Sequence, residues 1–402
     1  MKIALLTYLF PAKSETFIFE KANRLSTNKE NEIIIFTRKK GEKDTFKEMY
    51  RNKNEITVIE LFRFDWNTIK KIIFIIYYFT KSPIKFVTYT LGKSTKEPNL
   101  KKIRRIIHTL PIMYFDPDVI HVEFLSLTPL YIDFLNNYKG KKVVSCRGSD
   151  VEIMPIFNPG IKQTYNEVFS SFNKVHCLSS WLKEIVISRF ICQEDKIALI
   201  PPSIDVDFFK NNNLQNRSSS TGDQFIIGSV SRLHWKKGHI YAIDSIKKLL
   251  EKGFNVKYII VGDGEEKERL LFDIYDLNLE DKVEILGWLK PQEVKKFYED
   301  IDVFLFPSIS EGFGNVVLEA MSMQKPVIVT DVGCQDAITN GIEGLVVQRR
   351  NSFQITSAIE FLYNNRDICL QMGNMGRIRV EQNYRIENQI LGFEKLYSSI
   401  IE

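Results

Sequence analysis

Short apolar runs alternate with amphipathic helical stretches along most of this 402-residue chain. Such alternation is typical of parallel sheets in which helical crossovers join neighbouring strands. It predicts an α/β fold with one set of strands in each half of the chain. We predict strands at residues 2–7, 32–37, 119–122, 142–145, 174–177 and 196–200 in the first half, and at 225–230, 256–261, 283–286, 303–307, 326–330 and 344–347 in the second.

A polar stretch, NNNLQNRSSSTGDQ, separates the two sets of strands. Its composition is typical of a segment that links domains. We therefore predict a first doubly wound domain over residues 1–210, a linker over 211–224, and a second doubly wound domain over 225–373, with the two domains facing each other across a cleft. The last segment, 374–402, has helical spacing and no strand, and we expect it to pack back on the first domain.

Composition excludes several classes of protein. A hydrophobic fraction of 44% is too high for a mainly disordered chain, and the five cysteines show no Cys-x-x-Cys spacing that would indicate a zinc ribbon. The longest apolar run, IIFIIYYF at residues 72–79, is far shorter than the ~20 residues that span a bilayer. The amino-terminal apolar run ends at Pro11 without a small-residue cleavage site. We expect a cytoplasmic protein without a transmembrane helix.

The basic residues are concentrated in the first half of the chain. Residues 1–210 contain 33 Lys and Arg against 23 Asp and Glu, a net charge of +10, whereas the remainder carries −5. Residues 61–110 combine 11 basic and two acidic residues with the IIFIIYYF run. Two interpretations stay open for this segment: a core helix with a solvated lysine face, or a surface for an anionic membrane or a polyanion. No nucleic-acid module is recognised, so nucleic acid is disfavoured.

The sequence LFPSISEGFGNVVLEAM predicts a strand, a glycine-containing loop and a helix that begins near Asn315. Gly312 and Gly314 would let the backbone approach a ligand, and the first amides of the helix have no intrahelical partner, which favours anion binding. Glu311 lies in the loop and Glu319 one turn inside the helix. These two carboxylates could accept hydrogen bonds from vicinal hydroxyls on either side of a diphosphate.

Two further glycine-containing turns follow predicted strands of the second half. The first, SVSRLHWKKGH, brings Arg232 and Lys237 to the carboxyl end of a strand, where open α/β sheets bind ligands. These cations would bind the diphosphate. The second, VGDG at Gly262, lacks the third glycine of a dinucleotide fingerprint, so an enzyme that uses a nicotinamide cofactor is disfavoured.

Taken in order, RLxxxKG, VGxG, FPSxxEGFGxxxxEAMxxxxPVI and NGxxGLVV resemble the family 4 retaining glycosyltransferases of the GT-B fold, most densely over residues 225–350. In the first half, FPAKSETFIFE, DVIHVEF, SCRGSD and PPSIDVDFF resemble the branch that makes exopolysaccharide, capsule and lipopolysaccharide. The resemblance implies two Rossmann-like domains and transfer of a hexose, with retention, from a UDP- or GDP-sugar to a glycan. It implies no metal and no other cofactor.

The resemblance also implies roles for individual residues. Glu311 matches the acid that holds the donor sugar near its reacting carbon, and Glu319 matches the acid that holds the nucleotide ribose. Arg232 and Lys237 match the pair on the donor diphosphate. The amides that meet phosphates and sugar hydroxyls are expected at Gly312, Phe313, Gly314, Asn315 and Val316, and Gly262 is also expected on the donor side.

The chain departs from the family pattern at two places. Where many members have a histidine in a HGxD motif, this chain has Arg147, followed by Gly, Ser and Asp150. A guanidinium cannot shuttle protons at neutral pH, so we expect Arg147 to stabilise charge on a leaving or an acceptor phosphate. Arg147, Asp150 and Glu311 are the predicted catalytic residues. The second departure is the first turn, where PAKSETF replaces a glycine-rich loop.

The residues expected on the acceptor side come from this first turn and from the end of a strand. They are Ser14, Glu15, Thr16 and His121. Ser14 is equally suited to cap the first helix, and His121 is equally consistent with a satisfied buried histidine.

We expect a lipid-linked, phosphate-containing glycan acceptor, used in the synthesis of cell-surface polysaccharide, because the domain that should bind the acceptor is the basic one. The protein would then lie peripherally on the inner face of an anionic membrane. Two alternatives stay open. One is a sugar-nucleotide epimerase or hydrolase of the same fold, and the other is a non-catalytic module that binds lipid-linked glycans.

Overall fold

The computed structural model describes residues 1–12, 16–41, 56–61, 63, 66–84, 87, 107–211 and 224–401. Its internal contacts divide the chain into two compact units. The first unit comprises Met1–Cys177, Leu182–Ile200 and Ile390–Glu402, and the second comprises Leu178–Trp181 and Pro201–Gln389.

The first unit is built on a parallel sheet with the strand order β3-β2-β1-β4-β5-β6-β7 in the described chain. The inner strands are buried apolar runs, as expected of a parallel sheet covered on both faces. The chain moves outward from β1 in one direction and returns to β4 on its other side, so the strand order reverses between β1 and β4. The strands are β1 (Lys2–Phe10), β2 (Glu32–Lys40), β3 (Ile56–Glu60), β4 (Val119–Val122), β5 (Lys141–Cys146), β6 (Lys174–Cys177) and β7 (Ile197–Leu199).

Helices flank this sheet. A π-helical turn, Ser149–Ile153, follows β5, and single 3-10 turns occur at Leu125–Leu127 and Glu194–Lys196. The α-helices are α1 (Thr16–Leu25), α2 (Thr68–Lys81), α3 (Leu110–Phe115), α4 (Thr128–Leu135), α5 (Met154–Phe157), α6 (Ile161–Ser171) and α7 (Ser180–Arg189).

The second unit repeats the scheme with the parallel order β10-β9-β8-β11-β12-β13 among its described residues, so its strand order reverses between β8 and β11. Its strands are β8 (Phe225–Val230), β9 (Val256–Val261), β10 (Val283–Gly287), β11 (Val303–Phe306), β12 (Val327–Thr330) and β13 (Gly344–Val347). The helices from here to the carboxyl end are α8 (His239–Glu251), α9 (Lys267–Asp276), α10 (Pro291–Asp300), α11 (Asn315–Ser322), α12 (Ser352–Asn364), α13 (Arg366–Asn383) and α14 (Ile386–Ile401).

The predicted strands are confirmed, with differences of a few residues at their ends. The sequence prediction missed β3. Every residue of β3 is at least partly exposed, because this strand lies at the edge of its sheet. It therefore lacks the buried apolar run that marks the inner strands.

The core-helix interpretation of the IIFIIYYF run is wrong. The run lies in α2, four of whose five isoleucines are exposed, and Phe74 is the buried residue of that helix. Within the described ranges, no helix has both the length and the apolar character needed to cross a bilayer.

The domain boundaries differ from the prediction at three places. Residues 178–181 fall within the predicted first domain but belong to the second unit. Residues 374–389 belong to the second unit, and only the segment from Ile390 onward belongs to the first. The reason is Arg377 on α13, whose Nη1 donates to the carbonyls of Val206 at 2.9 Å, Phe209 at 2.8 Å and Ser322 at 3.0 Å. The same bonds hold residues 201–210 in the second unit rather than the first. Residues 212–223 of the predicted linker lie outside the described residues.

A chain of buried hydrogen bonds ties α14 to the sheet of the first unit. Tyr397 Oη lies 2.7 Å from His121 Nδ1, His121 Nε2 lies 2.8 Å from Ser145 Oγ, and this oxygen lies 2.8 Å from His176 Nδ1. His176 Nε2 lies 2.8 Å from the carbonyl oxygen of Ile200, which can only accept. His176 Nε2 therefore donates to this carbonyl, and the Ser145 hydroxyl donates to His176 Nδ1. His121 Nε2 in turn donates to Ser145 Oγ, and the Tyr397 hydroxyl donates to His121 Nδ1. Burial lowers the pKa of His176 to about 3 and that of His121 well below its usual value, so both rings are neutral.

Candidate functional site

Two loops of the second unit meet where its strand order reverses. Residues 231–238 follow β8, residues 307–314 follow β11, and the amide of Ile309 donates to the carbonyl of Lys236 at 2.6 Å. Gly238 has a φ of +67°, and a Cβ there would overlap the carbonyl oxygen of Pro307. Only glycine fits this position. The RLxxxKG and FPSxxEGFG motifs therefore form one surface at the carboxyl ends of adjacent strands, where open α/β sheets bind ligands.

Glu311 and Lys237 form an ion pair on this surface. Lys237 Nζ contacts Glu311 Oε2 and lies 5.0 Å from the centre of the Phe306 ring, and Glu311 Oε1 accepts from the amide of Gly312 at 3.2 Å. Burial opposes ionisation of Glu311, but the ammonium and the amide outweigh it and hold its pKa below the usual value. Both side chains remain partly exposed. The surface therefore offers an ionised carboxylate and a cation at one point.

The backbone of the EGFG loop is fixed from both sides. Ser179 Oγ donates to the carbonyl of Gly312 at 2.7 Å, and the amide of Gly333 donates to the carbonyl of Glu311 at 3.1 Å. A Cβ on Gly333 would lie 2.5 Å from that Glu311 oxygen, so the two loops can approach this closely only with glycine. The loop is thus held by hydrogen bonds and close packing from its own unit.

The loop leads directly into α11. Phe313 is buried in the core, so its side chain anchors the loop. Gly314 has a φ of +88°, and a Cβ there would come within 2.7 Å of the Phe306 ring. The helix begins at Asn315, which is exposed, followed by the half-buried Val316. The amides of this first turn have no earlier carbonyl in the helix to bind and favour an anionic ligand.

Glu319 is held by a residue that the sequence analysis did not identify. Tyr298, which is fully buried on α10, donates its hydroxyl to Glu319 Oε2 at 2.9 Å and lies 3.3 Å from the carbonyl of Val316. Burial raises the pKa of Glu319 to about 7, against the opposing effect of the Tyr298 hydrogen bond. This carboxyl group therefore titrates near neutral pH. The one sequence signal for Tyr298 is its place on the buried face of α10.

Arg232 and Gly262 lie on neighbouring loops. The side chain of Arg232 is exposed. The preceding residue, Ser231, joins the two loops, because its amide donates to the carbonyl of Val261 at 3.0 Å. Gly262 has a φ of +147°, and a Cβ there would overlap the Ser231 carbonyl oxygen. Its observed role is to let these two loops pack together, and direct contact of Gly262 with a donor stays a prediction.

A second cluster lies in the first unit, where the carboxyl ends of β4 and β5 are adjacent. Glu123 follows β4, Arg147 follows β5, and Lys21 lies on α1. The buried Glu123 forms an ion pair with Lys21, its Oε2 lies 3.4 Å from Arg147 Nη2, and its carbonyl accepts from Arg147 Nε at 3.3 Å. Burial lowers the pKa of Lys21 to about 8, although Glu123 opposes this shift.

Two aromatic rings also contact the guanidinium of Arg147. Its central carbon lies 4.5 Å from the centre of the Phe17 ring and 5.5 Å from that of Phe124. The cluster thus contains two cations and one carboxylate, and Arg147 is its partly exposed member. Such a fixed guanidinium is suited to bind a phosphate or a carboxylate.

Asp150 lies in the π-helical turn after Arg147. Its Oδ2 accepts from the amide of Leu125 at 3.0 Å, and the residue is buried. Burial raises the pKa of Asp150, against the opposing effects of Ser126 and Arg147. The observed contact anchors the loop after β4, and the predicted catalytic role of Asp150 stays a prediction.

The residues predicted on the acceptor side have different outcomes. Ser14 and Glu15 lie outside the described residues, and Thr16 is the exposed first residue of α1. The acceptor-side role of His121 is wrong, and the alternative of a satisfied buried histidine is confirmed, because its side chain is fully buried and both ring nitrogens are hydrogen-bonded. In the described ranges, no group of three or more His, Cys, Asp and Glu side chains could hold a metal ion.

Two family models match nearly the whole chain. The model for Glycosyltransferase Family 4 matches residues 14–208, and the model for Glycosyl transferases group 1 matches residues 210–379. The capsular polysaccharide biosynthesis glycosyltransferase CapM of Staphylococcus aureus is 31% identical over 233 residues, which cover 56% of this chain and 61% of that protein.

A second relative is the UDP-Gal:alpha-D-GlcNAc-diphosphoundecaprenol alpha-1,3-galactosyltransferase of Escherichia coli, 24% identical over 246 residues, 58% of this chain and 63% of that protein. The chain thus matches about three fifths of the length of these two relatives. The crystal structure of Anabaena HepE in complex with UDP superposes with a TM-score of 0.74 at 16% identity, over 99% of this chain and 100% of that one. The chain therefore belongs to the family 4 glycosyltransferases, and its two parallel-sheet, Rossmann-like units have the GT-B fold.

Proposed function

We propose that this chain is a retaining glycosyltransferase that moves a hexose from a nucleotide-diphosphate sugar to a hydroxyl group of a glycan. The observation that carries the proposal is the Glu311–Lys237 pair, which lies where the strand order reverses and next to the first turn of α11. A cation, a carboxylate and unpaired amides in one place suit a ligand that has both phosphates and sugar hydroxyls. The name of the Escherichia coli relative specifies a UDP-sugar donor, and HepE binds UDP in its crystal structure.

Each part of the donor has a complementary group in the second unit. Lys237 and the exposed Arg232 would neutralise the diphosphate, together with the amides of the EGFG loop and the first turn of α11. Glu319 would accept hydrogen bonds from the ribose hydroxyls, and Glu311 from the hydroxyls of the sugar. Tyr298 binds one oxygen of Glu319 and orients this carboxylate.

The proposed reaction breaks the bond between the anomeric carbon and the diphosphate oxygen, whose electron pair stays with the diphosphate. Lys237, Arg232 and the α11 amides would stabilise the negative charge that develops there, without a divalent ion. The oxygen of the acceptor hydroxyl forms the new bond from the face that the diphosphate leaves, and its proton passes to the departing phosphate. Configuration at the anomeric carbon is therefore retained.

The proposed acceptor is a lipid-linked glycan that carries phosphate, in a pathway for cell-surface polysaccharide. The partly exposed guanidinium of Arg147 in the first unit supports an anionic acceptor, because Lys21 already pairs with the buried Glu123 and the cluster keeps a net positive charge. The names of the two relatives support the pathway, since one refers to capsular polysaccharide and the other to a diphosphoundecaprenol acceptor. The protein would work as a peripheral protein at the inner face of the membrane.

A donor panel tests the proposal. The purified chain is incubated with UDP- and GDP-sugars, with and without an extract of membrane lipids, and the release of nucleotide and the configuration of the product are measured. We expect one donor to release nucleotide only when extract is present, with an unchanged anomer and with no effect of a chelator. Equal release without extract would indicate a hydrolase, epimerised donor an epimerase, and binding without turnover a binding module. Each of these results would contradict the proposal.

The pKa of Glu319 predicts that donor affinity depends on pH. Glu319 accepts hydrogen bonds from a diol best when ionised, and its pKa of about 7 leaves it mostly protonated at pH 6 and mostly ionised at pH 8. Affinity for the nucleotide sugar that the panel identifies should therefore rise about tenfold between these pH values, as measured by calorimetry. Stability of the ligand-free protein should fall as pH rises from the ordinary glutamate pKa of about 4.5 through 7, because burial disfavours the ionised side chain.

The Glu319→Gln variant is the control for this prediction. It cannot titrate, so its donor affinity should be low and independent of pH over the same range. The diphosphate of an intact nucleotide sugar does not titrate between pH 6 and 8 and adds no slope of its own. A wild-type affinity that does not change with pH, or a variant that keeps the wild-type slope, would contradict the assignment.

A further inference from the structure

Helix α2 presents a contiguous apolar face to solvent. Four isoleucines recur at the helical spacing i, i+3, i+4 and i+7, and Ile69, Ile72, Ile73 and Ile76 are 71%, 51%, 62% and 57% exposed. Single exposed apolar residues are common, whereas a contiguous group on one helical face indicates an interaction surface. We call this group of four isoleucines the α2 face.

Contacts within the first unit fix the orientation of this helix. Its opposite side packs Phe74 against Trp66, with 5.4 Å between ring centres, and against Tyr78 at 4.8 Å. Tyr78 in turn lies 5.9 Å from Tyr114 of α3. The side chain of Asn67 caps the helix by accepting from the amide of Lys70 at 2.8 Å. The α2 face therefore points outward because the other face is already packed.

The charges of α2 have one sign. Residues 68–81 include Lys70, Lys71 and Lys81 and contain no Asp or Glu. Lys70 stacks on the Trp66 ring at 3.7 Å and pairs with Glu60, its Nζ lying 3.7 Å from Glu60 Oε2. Lys81, in contrast, is exposed at the carboxyl end of the helix. The next exposed apolar residue, Ile84, is 80% exposed. Isoleucines flanked by lysines are the pattern of helices that lie in the interface of an anionic bilayer.

We propose that the α2 face docks this protein on an anionic phospholipid surface, with the helix axis parallel to the membrane. A helix of 14 residues is about 21 Å long, too short to cross a hydrocarbon core of about 30 Å. A second copy of the chain fits less well, because a symmetric contact would place the same lysines against each other. A nucleic acid would pair with the lysines but would leave the isoleucines in water. The inference rests on the proposed membrane location and names the surface responsible for it.

Flotation on a density gradient tests this inference with two kinds of vesicle, phosphatidylcholine alone and a mixture of phosphatidylcholine with phosphatidylglycerol. We expect the full chain to float with the anionic vesicles, less with the neutral ones, and less at high salt. The double variant Ile72→Glu, Ile73→Glu places two acids at the centre of the α2 face. It should lose roughly tenfold or more of the bound fraction, with an unchanged thermal unfolding midpoint.

The matched control carries the same change on α9 of the second unit. Leu271 and Phe272 are neighbours on an exposed helical surface, 47% and 64% exposed, and α9 contains three acidic residues. The variant Leu271→Glu, Phe272→Glu should float like the wild type. Equal losses in both double variants would overturn the assignment to α2.

Three further outcomes would overturn the inference. If the wild type and the α2 double variant float equally, the membrane location stands but another surface provides it. If the wild type floats with neither vesicle, the proposed membrane location is wrong as well, whereas the donor panel still decides on transfer. Sedimentation of both proteins without lipid completes the test, because an α2 variant that dissociates a wild-type dimer would show that a second copy covers the face.

Discussion

The Glu311→Gln variant should lose nearly all turnover while it keeps its fold. The amide cannot carry the charge that pairs with Lys237, and it presents one acceptor oxygen where the carboxylate presents two. Loss of one such preorganised group lowers kcat by about 100- to 1,000-fold in comparable sites. Stability should change by about 1 kcal/mol, because the ion pair is partly exposed and the Gly333 amide still binds the main-chain carbonyl of residue 311.

The control for this variant is Glu284→Gln. Glu284 lies on β10 at the edge of the same sheet, and its Oε2 is 2.7 Å from Lys257 Nζ, so the same chemical change is made away from the loops. Turnover of the control should equal that of the wild type. A Glu311→Gln protein that transfers sugar at the normal rate would show that Glu311 has no part in catalysis.

The Arg147→Lys variant should show the second-largest effect, a fall of about 100-fold in kcat/KM for the acceptor. Lysine keeps the positive charge but loses the planar fork that binds Glu123 and stacks on Phe17 and Phe124. Steady-state kinetics with the donor at saturation measure the change. Stability should be nearly unaffected, because Lys21 still pairs with the buried Glu123.

A matched control exists for this variant too. Arg349 stacks on the Trp181 ring at 5.0 Å, and Arg349→Lys makes the same loss of stacking in the second unit. This control should retain full activity.

The Arg147→His variant adds a second readout, since histidine titrates near pH 6.5 and should add a limb to the pH–rate profile that the wild type lacks. Wild-type kinetics in the Arg147→Lys variant would contradict a role for the guanidinium.

The parts of the fold that the sequence predicted are those with local signals. Buried strands appear as apolar runs, and the glycines at positions such as 238 and 314 mark places where the main chain must pass close to other atoms. Because loops after adjacent parallel strands share one edge, strand order alone brings Lys237 next to Glu311. This part of the candidate site could be predicted before its structure was known.

The parts that the sequence did not predict depend on contacts between distant segments. The spacing of apolar residues shows that α2 has an apolar face, but not whether another element covers it. The pairing of Tyr298 with Glu319, and of Lys21 with Glu123, joins residues from separate helices and loops, and no motif links them. His121 was misassigned for the same reason, since its partner Tyr397 lies at the other end of the chain.

The hydrogen-bond chain that begins at Tyr397 bears on how members of this family could be recombined. The last residues of the chain complete the first unit, so a hybrid that joined the front half of one member to the rear half of another would bring in a foreign closing helix. The foreign helix would need a hydroxyl group that donates to His121 Nδ1, as Tyr397 does here. Without that group the buried nitrogen would lose its hydrogen bond, which costs about 1–3 kcal/mol. The two halves are consequently not independent modules, and exchanges within the family should succeed best when the carboxyl-terminal segment travels with the front half.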